Sequence, residues 1–314
     1  MLNKESLIYI AGHTGLVGSA CVKYFSEKGF TNLQTASRKN LDLRKSYDVS
    51  TFIEKIQPEY IVLAAGKVGG IQMNISSPAT LMLTNLQIQN NIMCAARKTR
   101  VRKVILFGSS CMYPKNCEQP MREEKIFSGE IEQTSSAYAT SKIAGLQLSE
   151  AMNKEDKEDR FTCLIPNSVY GPNDNFDPET GHVLSALIAR FVLAKQEATE
   201  TVTLWGSGRA RREFVHSQDV ASACLHAMSL ERNIGAGPFN VGCGADISIR
   251  ELALKIAEIV GYQGKILWDT TKPEGVLKKL LDSSKFTNMG WIPQKTFDDG
   301  LAETVNWFKE KRMV

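Results

Sequence analysis

The chain has 314 residues, 43% of them hydrophobic and 23% charged. That balance excludes a collagen-like, coiled-coil or wholly disordered chain, and the length suits one large α/β domain or two modest ones. The 38 Lys and Arg against 34 Asp and Glu leave a net charge of +4, with no basic block of the kind that binds nucleic acid. The longest charge run, Lys154 to Arg160, mixes signs and reads as a solvated loop or helix end.

In chain order, Leu7–Ala11 reads as a strand, followed by Gly12, Gly15 and Gly18 and an amphipathic helix over Ser19–Lys28. Leu33–Ser37 is a second strand, Asp48–Gln57 a helix stopped by Pro58, and Tyr60–Ala65 a third strand. Pro78–Arg97 carries a long helical pattern, Lys103–Phe107 is a strand, Ser136–Ala151 a helix and Phe161–Pro166 a strand. Strands alternating with helices indicate βαβ units and a parallel sheet. Beyond Tyr170-Gly171-Pro172 the chain turns polar, then reads as helix over His182–Lys195, strand over Val202–Trp205 and helix over Asp219–Leu230. Ile249–Val260, Lys265–Asp269 and Leu301–Lys309 add a helix, a strand and a final helix. The fold class is therefore α/β: a Rossmann-type doubly wound sheet over residues 1–170, with 214–245 returning to it, and a smaller interleaved lobe within 171–314 that covers a ligand.

Seven cysteines show neither CxxC pairs nor zinc-site spacing. They are expected to be reduced and mostly buried, in a cytoplasmic protein. The apolar stretch at Leu7 is too short for a signal peptide, and no apolar run reaches the ~18–20 residues of a membrane helix.

Gly12, Gly15 and Gly18 lie in AGHTGLVG, directly between a strand and a helix. Glycine permits a tight turn and a close approach to a pyrophosphate, whose charge meets the positive end of the helix. Ser37-Arg38-Lys39 follows the second strand where an acidic residue would bind the ribose hydroxyl of NAD. The basic pair suits a 2′-phosphate, hence NADP(H); the alternative is a solvated basic turn.

The strand Lys103–Phe107 leads into Gly108-Ser109-Ser110-Cys111. Hydroxyl residues at such a strand end face the cofactor crevice. Tyr138 and Lys142 are i and i+4 on a helix and share one face. The ammonium is expected to lower the phenol's pKa, so that Tyr138 gives a proton to a carbonyl oxygen that Ser109 also holds. YxxxK alone more often marks a plain helix surface.

Together these features resemble the extended short-chain dehydrogenase/reductase superfamily. Longer strings narrow the resemblance: AAGKVGGI at 64–71, NLQIQNN at 85–91, GSSCMYP at 108–114, YGPNDNF at 170–176, His182-Val183-Leu184 and WGSGRARREFVH at 205–216. These are similar to the GDP-L-fucose synthase family over almost the whole chain. That family epimerises C3 and C5 of GDP-4-keto-6-deoxy-D-mannose and then reduces C4 with NADPH in the same site. The resemblance implies Cys111 as epimerisation base and His182 as acid; taken alone, each reads as a buried thiol and a helix-start histidine. A reductase lacking epimerase activity has no use for either. It also implies cofactor contacts from Gly12, His13, Thr14, Gly15, Leu16, Val17 and Gly18, from Arg38, Ala64 and Ala65, and from Lys142, Pro166, Ser168, Val169 and His182. Arg190, Arg212, Trp205 and Lys279 match positions that hold the nucleotide sugar, the guanidinium groups suiting phosphate. Trp205 as core and Arg212 as surface are the structural alternatives. His216 reads as structural, and His13 as a loop residue.

The chain departs from the family pattern at Asn167-Ser168-Val169, at Ser185 in place of proline, at Gly275–Lys279, and at Thr14 in place of a frequent arginine. A related GDP-4-keto-6-deoxy sugar, a heptose or dideoxyhexose, stays open as substrate. A simple 4-keto reductase or 4-epimerase is the narrower alternative. A non-catalytic dinucleotide-binding regulator predicts broken catalytic positions, and Ser109, Tyr138 and Lys142 are intact. No metal is expected. The superfamily implies a homodimer through helices 78–97 and 136–151; a Met/Leu stripe on 81–93 fits that seam and equally fits packing on the parent sheet.

Overall fold

The computed structural model describes residues 2–230, 234–272 and 275–313. The first part of the chain runs β1 (Ile8–Ala11), α1 (Leu16–Glu27), β2 (Leu33–Gln34), α2 (Ser46–Ile56), β3 (Tyr60–Leu63), α3 (Ile71–Ser76), α4 (Pro78–Arg97), β4 (Lys103–Phe107), α5 (Ser136–Asp156) and β5 (Phe161–Pro166). There follow β6 (Ser168–Tyr170), α6 (Val183–Gln196), β7 (Thr201–Trp205), β8 (Arg211–Arg212), β9 (Phe214–His216), α7 (Ser217–Ser229) and β10 (Phe239–Val241). β11 (Ile247–Ser248), α8 (Ile249–Val260), β12 (Lys265–Asp269), β13 (Lys278–Lys279), α9 (Ser284–Thr287) and α10 (Phe297–Met313) complete it.

The main sheet is parallel, in the order β10-β5-β4-β3-β1-β2. Its inner strands are mostly apolar because both faces are covered, and alternate residues enter different cores. Tyr9, Ile61, Val104 and Cys163 join the core under α2, α4 and α5. Ile8, Ile10, Val62, Ile105 and Leu164 join the other, which includes Cys21, Phe25, Val220 and Cys224 of α1 and α7. β10 forms one edge and α7 packs on α1, so this late segment belongs physically to the sheet layer; β9 pairs with β6 outside it. The chain leaves β1 toward β2 and returns to β3 on β1's other side. The order therefore reverses there, and the crevice above the carboxyl ends of β1 and β3 is the ligand position of such sheets. A third core, with Phe191, Ile256 and Val305, joins α6, α8 and α10 in the smaller lobe.

Two expectations need correction, and one left open is decided. The second strand spans only Leu33–Gln34, because it is an edge strand paired on one side with β1. Of the two readings of the α4 stripe, packing on the parent sheet holds for Leu81, Ile88, Ile92 and Met93, which are buried inside the chain. All seven cysteines are free thiols, but only Cys21, Cys163 and Cys224 are buried, and Cys94 is exposed. Among the described residues, no helix is long and apolar enough to cross a membrane, and no cluster of His, Cys, Asp and Glu could hold a metal.

Candidate active site

After β1 the chain turns through Gly12 at φ +87°, a left-handed conformation that favours glycine. A Cβ on Gly12 would lie 2.6 Å from the Ala65 amide nitrogen, so its absence lets this loop press against the end of β3. Gly18, in the first turn of α1, has no room either: a Cβ would come within 2.6 Å of the Gly12 carbonyl carbon. Gly15 caps α1 without a side chain, which leaves the first-turn amides with no side-chain acceptor. Backbone donors and a positive helix end thus converge where Gly12, Ala64 and Ala65 meet, and this cradle fits a dinucleotide pyrophosphate. His13 and Thr14 form the turn, Leu16 and Val17 open α1, and His13 Nδ1 is buried without a partner. Arg38 is exposed, beyond the short β2 rather than at its tip, and its charge helps hold the Asp42 carboxyl low.

Past β4, the Ser109 hydroxyl accepts a hydrogen bond from the Cys111 amide at 3.2 Å and caps a short turn over Ser110–Met112. That turn packs against α5. α5 is seated by Gln89, whose side-chain amide donates to the Ser141 carbonyl at 2.9 Å. Lys142 Nζ stands 5.7 Å from the Tyr138 ring centroid. The structure therefore brings Ser109, Cys111, Tyr138 and Lys142 together.

The electrostatics differ from the expected phenol. Burial pushes the Tyr138 hydroxyl above its ordinary value, negative charge at Cys111 adds to this, and a hydrogen bond with Ser109 opposes it. Burial also draws Lys142 down to about 8. Desolvation outweighs the mutual effect expected of the pair. A phenol so placed is protonated at neutral pH, which is the form a proton donor needs.

Cys111 faces cations from the other lobe. Lys279 Nζ is 4.0 Å from its sulfur, and Arg212 is half-buried within electrostatic reach of it. β13 pairs in parallel with β8, setting Lys279 opposite Arg212. Pro166 ends β5, and Ser168 and Val169 begin β6. Trp205 ends β7 as an exposed ring with Lys272 Nζ 5.8 Å from its centroid, so it is not core. Arg190 donates to the Pro178 carbonyl at 3.0 Å and so braces the loop before α6. His182 caps α6; among the described residues no hydrogen bond or ion pair joins it to Cys111, and its ring lies instead beside Asp174. His216 caps α7, its Nδ1 accepting from the Gln218 amide at 3.3 Å.

Reasoning from sequence missed Asp174 and two further supports. Asn85, buried on α4, donates to the Lys67 carbonyl at 2.8 Å and accepts from the Lys67 amide at 3.0 Å, which fixes the loop after β3 beside Lys142. Glu213, fully buried, accepts from Asn167, Gly244 and Leu281. The signal for Asn85 was its polarity on a helix face that is otherwise core.

Comparison with known proteins agrees with this arrangement. The chain matches the NAD dependent epimerase/dehydratase family over residues 8–242. It is 44% identical over 308 residues to GDP-L-fucose synthase 1 of Arabidopsis thaliana, covering 98% of this chain and 94% of that protein. The structure of a GDP-6-OMe-4-keto-L-xylo-heptose reductase from C. jejuni superposes with a TM-score of 0.93 at 32% identity, covering 99% of both chains. A GDP-L-fucose synthetase from Naegleria fowleri bound to NADP gives 0.90 at 28% identity, covering 100% of this chain and 97% of that one. With the reversed strand order, the glycine cradle above it and an Arabidopsis relative alike from end to end, the chain belongs to the NAD dependent epimerase/dehydratase family, on its GDP-L-fucose synthase branch.

Proposed function

We propose that the protein converts GDP-4-keto-6-deoxy-D-mannose to GDP-L-fucose, epimerising C3 and C5 and reducing C4 in one site. The observation that carries this reading is the placement of the Cys111 thiol in the same turn as Ser109 and beside Tyr138. A reductase alone needs Ser109, Tyr138 and Lys142 and has no use for Cys111 and His182.

The Gly12–Gly18 loop, Ala64 and Ala65, Arg38 and the Pro166–Val169 turn would hold NADPH, which would supply the hydride for C4. The C4 ketone acidifies the hydrogens on C3 and C5. Cys111, as thiolate beside Lys279 and Arg212, takes such a proton, and the electron pair moves onto the C4 oxygen. Hydrogen bonds from Ser109 and Tyr138 hold that oxygen. His182 returns a proton to the opposite face of the carbon, which inverts it. In the last step Tyr138 gives its proton to the C4 oxygen, and the Lys142 ammonium balances the phenolate that forms. Arg190, Arg212 and Lys279 hold the diphosphate and Trp205 stacks on the base. The free thiols suit the cytoplasm. A homodimer through α4 and α5 fits Leu83, which α4 leaves 60% exposed. A stable monomer at micromolar concentration in sedimentation refutes that assembly.

The test is NADPH oxidation at about 340 nm with this keto sugar, with the product identified by NMR. GDP-L-fucose as product upholds the reading. Reduction without inversion refutes the epimerase half, and a heptose or dideoxyhexose analogue turned over in preference refutes the substrate.

A further inference from the structure

His182 occupies the N-cap position of α6, yet its ring makes no capping hydrogen bond, so the imidazole is free for another role. The ring is about half exposed, at 47%, whereas the Asp174 side chain is 5% exposed. His182 Nδ1 stands 4.0 Å from Asp174 Oδ1. That carboxylate is held from two other directions. Ser185, in the first turn of α6, donates its hydroxyl to Oδ2, and the Asn175 amide donates to Oδ1 at 2.7 Å. The loop around it is also fixed. Asp177 Oδ1 accepts from the Glu179 and Thr180 amides, and the Thr180 carbonyl accepts from the Gly70 amide at 3.1 Å.

A carboxylate this buried is costly unless paired. Among the described residues, the only basic side chain within ion-pair distance of Asp174 is His182. Burial raises the Asp174 carboxyl, and His182, Ser185 and the Asn175 amide oppose that rise.

We infer that Asp174, steadied by Ser185, is the positioning residue for His182: its carboxylate faces Nδ1 across 4.0 Å, favours a proton on that nitrogen and leaves Nε2 to face the sugar. The inference rests on the reading of His182 as the acid of the epimerisation. An imidazole has two nitrogens, and only the one not bound to the carboxylate is available for transfer. Nε2 gives its proton to the substrate carbon, the other proton stays on Nδ1 facing the Asp174 carboxylate, and solvent water reprotonates Nε2. The carboxylate stabilises the imidazolium that precedes transfer, by the same logic as an acid behind a catalytic histidine.

The experiment follows deuterium from D2O into C3 and C5 of GDP-4-keto-6-deoxy-D-mannose with NADP+ present, so that reduction does not intervene. Wild type is compared with Asp174→Asn, Ser185→Ala, His182→Gln and the two double variants with His182→Gln. Asp174→Asn is expected to slow exchange roughly 10–100-fold, the range typical of lost outer-shell support. Ser185→Ala is expected to slow it a few-fold, with NADPH affinity unchanged in both. In the His182→Gln background neither substitution is expected to slow the residual exchange further, because each acts through the imidazole. Equal slowing in both backgrounds, or wild-type exchange in Asp174→Asn, overturns the inference. If Asp174→Asn does not fold, the Ser185→Ala pair decides by the same criterion. A wild type that incorporates no deuterium overturns the functional reading and this inference with it; exchange in the wild type with unaffected variants overturns this inference alone.

Discussion

Replacing Gly18 by alanine tests the cofactor cradle most directly. The added Cβ would stand 2.6 Å from the Gly12 carbonyl carbon and 3.0 Å from His13 Cα, both backbone atoms that cannot rotate away. Overpacking of this kind costs about 1–3 kcal/mol. The unfolding entropy of a domain is about 2.1 cal/mol/K per residue, so for a chain of this length that cost corresponds to a melting point about 1.5–4.5 °C lower. The strain has a second outlet. If the loop lifts from β3, the fold is relieved and the cradle is spoiled, and the same free energy then appears as about a 5–150-fold loss of NADPH affinity. Scanning calorimetry and NADPH fluorescence titration together capture both outlets. Gly15→Ala is the control: its Cβ meets only the Gly12 carbonyl oxygen, at 3.6 Å, and its φ of −84° suits alanine. Its melting point is expected within about 1 °C of wild type, below the range worked for overpacking. A Gly18→Ala protein with wild-type melting point and wild-type NADPH affinity refutes the close-packed cradle.

Tyr138→Phe removes the proton donor and is expected to cut single-turnover NADPH oxidation about 10²–10⁴-fold while NADPH binding stays at the wild-type level; oxidation at the wild-type rate refutes the role. Lys142 carries a sign that pH reveals. The folded protein sheds its proton from about pH 8, the unfolded chain only near the ordinary lysine value of 10.5, so between them the unfolded state binds more protons and stability gains as pH rises. The melting point of wild type relative to Lys142→Met should therefore climb across that window, and a flat difference in calorimetry counts against the buried ammonium. Trp205→Ala, at an exposed ring, should leave the fold intact and raise KM for the GDP sugar about 5–150-fold, the worth of one stacked base, with kcat nearly constant. A kcat effect without a KM effect argues against stacking.

Much of the sheet layer was legible because its strands are buried on both faces. Lys103–Phe107 and Phe161–Pro166 are apolar runs bounded by polar turns, and the structure keeps those bounds. β2 was not legible at its true length, since an edge strand with one partner needs no long apolar run. Ser109, Tyr138 and Lys142 were visible because their relations are local: a strand end, and one helical turn. The behaviour of the Tyr138 phenol was not, because spacing says who is near and burial decides the sign. Asp174 was hidden for another reason. An aspartate among Asn, Pro and Gly reads as a turn residue, and only the return of the chain into α6 sets it behind His182.

The substrate half of the site was hardest to read because its parts meet only in the folded chain. Arg212 and Lys279 are distant in sequence and belong to two-residue strands, too short for any periodicity to mark them. Their alignment depends on the parallel pairing of β8 with β13, and that pairing has little hydrogen bonding of its own. Glu213 supplies the rest. Its carboxylate accepts from Leu281 at 3.0 Å, just beyond Lys279, from the Asn167 side chain at 2.8 Å, beside the cofactor turn, and from Gly244 at 2.8 Å. One buried anion thus ties three separated segments to the strand that carries Arg212. Burial still raises this carboxyl despite those donors, so its retention costs stability. An apolar residue would fill the same space at less cost but would hold none of the three segments in register. The buried charge therefore makes sense as a device for geometry: it keeps two cations aligned beside the Cys111 sulfur when neither strand is long enough to do so alone.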